Sequence, residues 1–199
     1  ELKLDTQKIF VYSNSFLHEN ISKYNLPFFI FYDKQSLINE ILCTEFDILV
    51  SNGCPFILPV SNIKKKNQKF INIHPSFLPD LRGKNPINGA VLFNRKHGVT
   101  CHVMDDEIDS GEIISQLEVI HQNVANLDIN LIYQLTFLAE AKVFEVAFRR
   151  KFQILKNNQP TKDSIYYSMK EGDNLINNND SIEKIIIKIR AFASSNKYA

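Results

Sequence analysis

Apolar residues in the first half of the chain gather in short unbroken runs separated by stretches of mixed polarity. Residues 8–13 (KIFVYS), 27–32 (PFFIFY), 46–51 (FDILVS) and 70–74 (FINIH) each read as a strand. Such continuous apolar runs fit strands buried on both faces, as in a parallel sheet covered by helices. Between them, residues 16–24 and 35–43 carry helix-like spacing. Asn52-Gly53 and Pro55 mark a turn after the third run, and the charged residues 64–66 are expected in a solvated loop. The alternation predicts an open α/β fold of the Rossmann type.

The pattern changes in the middle of the chain. Residues 86–94 suit a helix with Pro86 in its first turn. Residues 99–104 (VTCHVM) and 112–120 (EIISQLEVI) read as strands flanking an acidic loop, 105–111 (DDEIDSG). Residues 128–152 form a long periodic stretch with Leu131, Leu135, Leu138, Val143 and Val146 as its expected apolar face. Residues 165–169 are expected to pair as a hairpin strand. After a polar turn at 177–180, Ser181 is placed to cap a last helix over 182–192. The expected organisation is an α/β domain over 1–156 and a short hairpin and helix extension over 157–199.

Composition narrows the function classes. The 199 residues carry 23 Lys plus Arg against 22 Asp plus Glu, a net charge of +1. A dedicated nucleic-acid binder needs a basic surplus, so none is expected as a partner. The longest apolar run, residues 26–32, is far shorter than the roughly 20 residues that cross a bilayer, so no membrane partner is expected. Three cysteines, Cys43, Cys54 and Cys101, without CxxC spacing fit a reduced, cytoplasmic setting and argue against a zinc site. The chain holds 25 Ile, 21 Asn and 18 Lys, a bias of the kind an AT-rich genome imposes. Asn- and Lys-rich loops are therefore not read as sites. The chain opens on Glu1 without Met, and clipping at both ends is expected.

Several chemistries lack their motif. The six glycines form no GxGxxG after the first strand, no Walker loop and no GxSxG elbow. His97 and His102 lie five apart across Gly98, which does not set two ligands on one helical face, and both are read as structural. The informative stretch is residues 72–79 (NIHPSFLP), followed by Arg82-Gly83. In a strand, Asn72 and His74 share a face. They stand at a strand's carboxyl end, where open α/β sheets bind ligands. An Asn amide can donate to a carbonyl oxygen becoming an oxyanion, and a His can shuttle a proton or stabilise the same oxygen. A third group is needed. The acidic loop offers Asp105, Asp106, Glu107 and Asp109, and Gly111 permits a tight turn that aims Asp109 inward.

These residues resemble the formyltransferases that use 10-formyltetrahydrofolate. NIHPSFLPDLRG followed by IDSG reproduces the family's two linked motifs, in order and at the family's spacing. The resemblance runs from about residue 47 to 192 and implies a Rossmann-like core with Asn72, His74 and Asp109 as catalytic trio. It also implies 10-formyltetrahydrofolate as co-substrate, no metal, and a folate pocket lined by Cys54, Pro55, Phe56, Ile57, Asp105 and Ile108. Only 71 residues precede Asn72, fewer than the family usually has, so a compressed N-terminal half is expected.

Family members differ in acceptor. The glycine-rich phosphate loop of glycinamide ribonucleotide formyltransferases is replaced by Ser13-Asn14-Ser15-Phe16. Methionyl-tRNA formyltransferases share the RGxxP pattern of residues 82–86 and the IRAF sequence of residues 189–192, but continue into a basic tRNA-gripping domain. Sugar-nucleotide N-formyltransferases share both patterns without that domain. The resemblance therefore favours a nucleotide-linked amino-dideoxy sugar as acceptor, made for surface polysaccharide, with Arg82, Lys84 and Asn85 on the acceptor side and a homodimer possible. Two readings from other classes are a thiol acyl-transfer site built on Cys54 and His74, and a non-catalytic folate or nucleotide sensor.

Overall fold

The computed structural model describes residues 5, 6, 8–119, 127–155, 159 and 163–193. It forms two compact units, Glu1–Ile71 and Asn72–Ala199. The architecture is mixed α/β with a mostly parallel sheet, as expected.

In the first unit, β1 (Ile9–Tyr12) pairs in parallel with β2 (Phe28–Phe31), Ile9 opposite Phe28 and Tyr12 opposite Phe31. Helix α1 (Lys34–Cys43) starts on a capping box in which the Asp33 carboxylate accepts from Ser36 N at 2.8 Å. It buries Leu37, Ile38 and Ile41. Strand β3 (Ile48–Asn52) and the single turn α2 (Val60–Ile63) follow, and β3 neighbours β4 (Lys69–His74). The helix expected over 16–24 is instead a set of turns ending in a 3₁₀ turn, Ile21–Lys23. Its apolar residues do not share a buried face: Ile21 is buried while Phe16 is 84% exposed.

In the second unit the sheet runs β4-β5-β6. Strand β5 (Gly98–Val103) pairs antiparallel with β6 (Ile113–Glu118), and the register shifts between Cys101 and His102. Helix α4 (Ile129–Arg149) buries Ile129, Ile132, Thr136, Ala139, Glu140, Val143 and Ala147. That stripe is rotated from the expected one: Val143 is buried, but Leu131, Leu138 and Val146 are exposed. Ile87 and Val91 of α3 (Pro86–Leu92) pack with Ile129, Ile132 and the Ala191-Phe192 end of α5 (Ile182–Phe192). Asn88 locks this contact, donating to Ala191 O at 2.6 Å and accepting from the Tyr133 hydroxyl at 2.6 Å. Ser181 caps α5 as expected, accepting from Lys184 N at 3.3 Å.

Residues 165–169 do not form the expected hairpin. Tyr166 makes an isolated parallel bridge to Arg82. Leu81 N donates to Ile165 O at 2.7 Å, and Tyr167 N to Arg82 O at 2.9 Å. The segment satisfies its backbone groups on the loop after β4 rather than on a local partner. The domain boundary expected at 156/157 and the end of the strand expected at 120 lie outside the described residues. No helix among the described residues is long and apolar enough to cross a membrane.

Candidate functional site

Asn72 and His74 stand at the end of β4, two residues apart as their shared face requires. The loop that follows is pinned from the sheet. Thr100 Oγ1 donates to Ser76 O at 2.7 Å and accepts from Leu78 N at 3.1 Å; Gln116 Nε2 donates to Leu78 O at 2.6 Å. This brings Leu81, Arg82 and Gly83 back beside the strand end.

Asp109 enters from the loop between β5 and β6. Its backbone is left-handed, with φ +50°. Gly111 serves a different purpose from the tight turn expected of it. A Cβ on residue 111 would lie 1.9 Å from Val103 O, so glycine is needed for close approach of the loop to β5. Asp105 Oδ1 steadies the loop by accepting from Glu107 N at 3.1 Å and the Ser110 hydroxyl at 2.7 Å.

The three expected residues meet. His74 Nδ1 lies 3.5 Å from Asp109 Oδ2, and Asn72 Nδ2 donates to Asp109 Oδ1 at 3.3 Å. Gly83 N donates to Asp109 Oδ2 at 2.9 Å. A fourth residue, His102, was read as structural from spacing and proves to belong to the cluster. Its Nε2 lies 3.2 Å from Asn72 Nδ2 and 3.6 Å from Asp109 Oδ1. The signal that could have found it is its place on β5, the strand beside β4.

Hydrogen-bond logic assigns the protons. Val103 O, 2.8 Å from His102 Nδ1, can only accept, so Nδ1 carries hydrogen. In the uncharged ring Nε2 is then an acceptor, and Asn72 must turn its NH2 inward. By the same rule Leu81 O, 2.9 Å from His74 Nε2, places hydrogen there. The bare Nδ1 of uncharged His74 faces the Asp109 carboxylate, a pair of acceptors ready for one proton.

Burial pushes the His74 pKa below its ordinary value, and the Asp109 charge and the Leu81 carbonyl oppose that only in part. For Asp109, burial works upward. The hydrogen bond from His102 and the charge of His74, each supplied when that ring is protonated, together with the Gly83 N–H outweigh it and hold the carboxyl below the usual range. At neutral pH the site therefore holds a carboxylate beside an uncharged His74.

The other expected residues are spread over both units. Cys54, Pro55, Phe56 and Ile57 lie in the first, where the Phe56 ring packs edge-on to Tyr12 with centroids 5.7 Å apart, and Pro55 and Ile57 are exposed. Burial raises the Cys54 pKa, which leaves no activated thiolate for the thiol reading. Asp105 and Ile108 lie on the Asp109 loop. Arg82 Nη2 donates to Gln159 Oε1 at 3.0 Å; Lys84 is exposed, and Asn85 is left-handed at the start of α3. No group of His, Cys, Asp and Glu among the described residues is arranged to hold a metal ion.

Residues 32–141 match the model of a family described as formyl transferase. The methionyl-tRNA formyltransferase of Syntrophus aciditrophicus is 30% identical over 159 residues, covering 74% of this chain and 48% of its own. The chain spans half or less of the length of the curated relatives it matches. Among solved structures, the formyltransferase PseJ from Anoxybacillus kamchatkensis was captured with UDP-4,6-dideoxy-4-formamido-L-AltNAc and tetrahydrofolate. It superposes with a TM-score of 0.63 at 25% identity, over 94% of this chain and all of its own. An N-formyltransferase from Helicobacter canadensis, held with folinic acid and dTDP-3-aminofucose, gives a TM-score of 0.70 at 21% identity, over 96% and 82% of the two chains.

Proposed function

Because this chain belongs to the formyl transferase family, we propose that it moves a formyl group from 10-formyltetrahydrofolate to the amine of a nucleotide-linked amino-dideoxy sugar. The observation that carries this reading is the convergence of the Asn72 amide, His74 and the Asp109 carboxylate at one strand end. Bound 10-formyltetrahydrofolate supplies the formyl carbon. Asn72 offers its N–H groups to the formyl oxygen as charge gathers there. At 3.3 Å its bond to Asp109 is longer than the usual N–H···O length, so a developing oxyanion can take it over. His74 Nδ1 and Asp109 receive the proton that the attacking amine must lose, and release it to the departing folate nitrogen.

The proposed folate side comprises Cys54, Pro55, Phe56, Ile57, Asp105 and Ile108, and Arg82, Lys84 and Asn85 are the acceptor side. The sugar acceptor is supported by solved neighbours that carry a UDP-linked formamido sugar and dTDP-3-aminofucose. The cytoplasmic setting expected from the cysteines belongs to the same reading. A second reading, methionyl-tRNA as acceptor, is favoured by the curated relatives. Incubation with 10-formyltetrahydrofolate and a panel of UDP-, dTDP- and GDP-linked 3- and 4-amino sugars, Met-tRNA and glycinamide ribonucleotide separates them. Formylation of an amino sugar is expected; formylation of tRNA alone overturns the sugar assignment.

A further inference from the structure

Gln159 uses both ends of its carboxamide. Its Nε2 donates to Asp109 O at 3.1 Å and to Gly111 O at 2.7 Å, and its Oε1 accepts from Arg82 Nη2 at 3.0 Å. Two carbonyls that flank Ser110 thus converge on one NH2 group. Only a carboxamide can donate twice here while accepting from a guanidinium. The turn it grips gains from restraint, because Asp109 holds a left-handed backbone, which Asp tolerates better than most residues but which remains less favourable than the right-handed region.

The grip closes on itself. Arg82 is followed by Gly83, whose N–H donates to the Asp109 carboxylate at 2.9 Å. The Arg82-Gly83 pair therefore fixes Asp109 twice, through Gly83 to the side chain and through Gln159 to the main chain. Arg82 is itself registered by its bridge to Tyr166. We propose that Gln159 is a positioning residue that, with Arg82, straps the Asp109 turn so that the carboxylate meets His74. The strap's catalytic value rests on the formyl-transfer reading; its effect on His74 does not. One nitrogen of Arg82 is thereby committed to the turn.

Two variants test the strap. Gln159→Glu keeps an acceptor for Arg82 but sets carboxylate oxygen against the two carbonyls, and Gln159→Leu removes all three bonds. Each is compared with the unaltered chain for kcat, KM for 10-formyltetrahydrofolate, thermal unfolding midpoint and the NMR titration of the His74 imidazole. The groups facing that imidazole are the Asp109 carboxylate, the His102 ring and the Leu81 carbonyl. A loosened turn carries Asp109, the charge that raises His74, away from it. The expected result is kcat lower by about tenfold in both variants with KM and unfolding midpoint held, and a His74 midpoint moved to lower pH. An unmoved kcat and His74 titration overturn the strap, as does a kcat that falls only in step with the unfolding midpoint. If the unaltered chain formylates nothing in the acceptor panel, the proposed function fails, and the His74 titration still decides the strap.

Discussion

His97 immediately precedes β5 and His102 lies near its far end, and the two are almost equally buried, 4% and 2% exposed. Their surroundings diverge. The charge acting on His97 is the cation Arg190, and burial together with that cation pushes its pKa down to about 4. His102 lies 3.6 Å from a carboxylate oxygen and 3.2 Å from the Asn72 amide. Burial beside a cation silences an imidazole. A carboxylate near the other end of the strand recruits one into a cluster.

The sharpest way to break this contrast is Asp109→Asn, which leaves His102 without its anion and His74 without its proton partner. The kcat for formyl transfer is expected to fall about a thousandfold, read by product formation under saturating substrates. A loss below tenfold would remove Asp109 from the chemistry.

The second expectation concerns stability. The folded pKa of His97 lies below that of an unfolded histidine near 6.5, so unfolding takes up a proton between those values. The stability from uncharged His97 is complete above about pH 6.5 and is lost as pH falls toward 4, on the order of 3 kcal/mol. Buried His74 acts in the same direction. Chemical denaturation at pH 7, 6, 5 and 4 should show the decline, and His97→Phe should make it shallower. Parallel profiles in the two proteins would mean that His97 charges without cost.

Third, His102→Leu frees the Asn72 amide to rotate and should lower kcat roughly ten- to a hundredfold while the fold persists. The smallest effect is expected at the other end of the strand, where His97→Gln should leave kcat within about twofold at pH 7.5. Equal losses from the two substitutions would erase the distinction between the ends of β5.

Much of this was legible in the sequence, and the limits have a common cause. The runs at 27–32, 46–51 and 70–74 became β2, β3 and β4, although only β4 is buried along most of its length, while β2 and β3 are half-exposed. Asn72, His74 and Asp109 were legible as motifs, and the structure brings them together. His102 was not, because its partners are 30 and 7 residues away and no periodicity links them. Gln159 was invisible for the same reason, reaching carbonyls 50 and 48 residues back. The segment at 165–169 has strand-like composition, yet its partner is Arg82 and not a local hairpin. Residues 16–24 misled because apolar content without a common buried face does not make a helix.

The bridge from residues 165–167 to Leu81 and Arg82 has a consequence for the order of synthesis. Gly83, which reaches the Asp109 carboxylate, is held in place by a segment translated more than eighty residues later. On the ribosome, the strand bearing Asn72 and His74 and the loop bearing Asp109 both emerge before the piece that registers them against each other. The setting of the carboxylate therefore waits on a segment made well after the residues it serves.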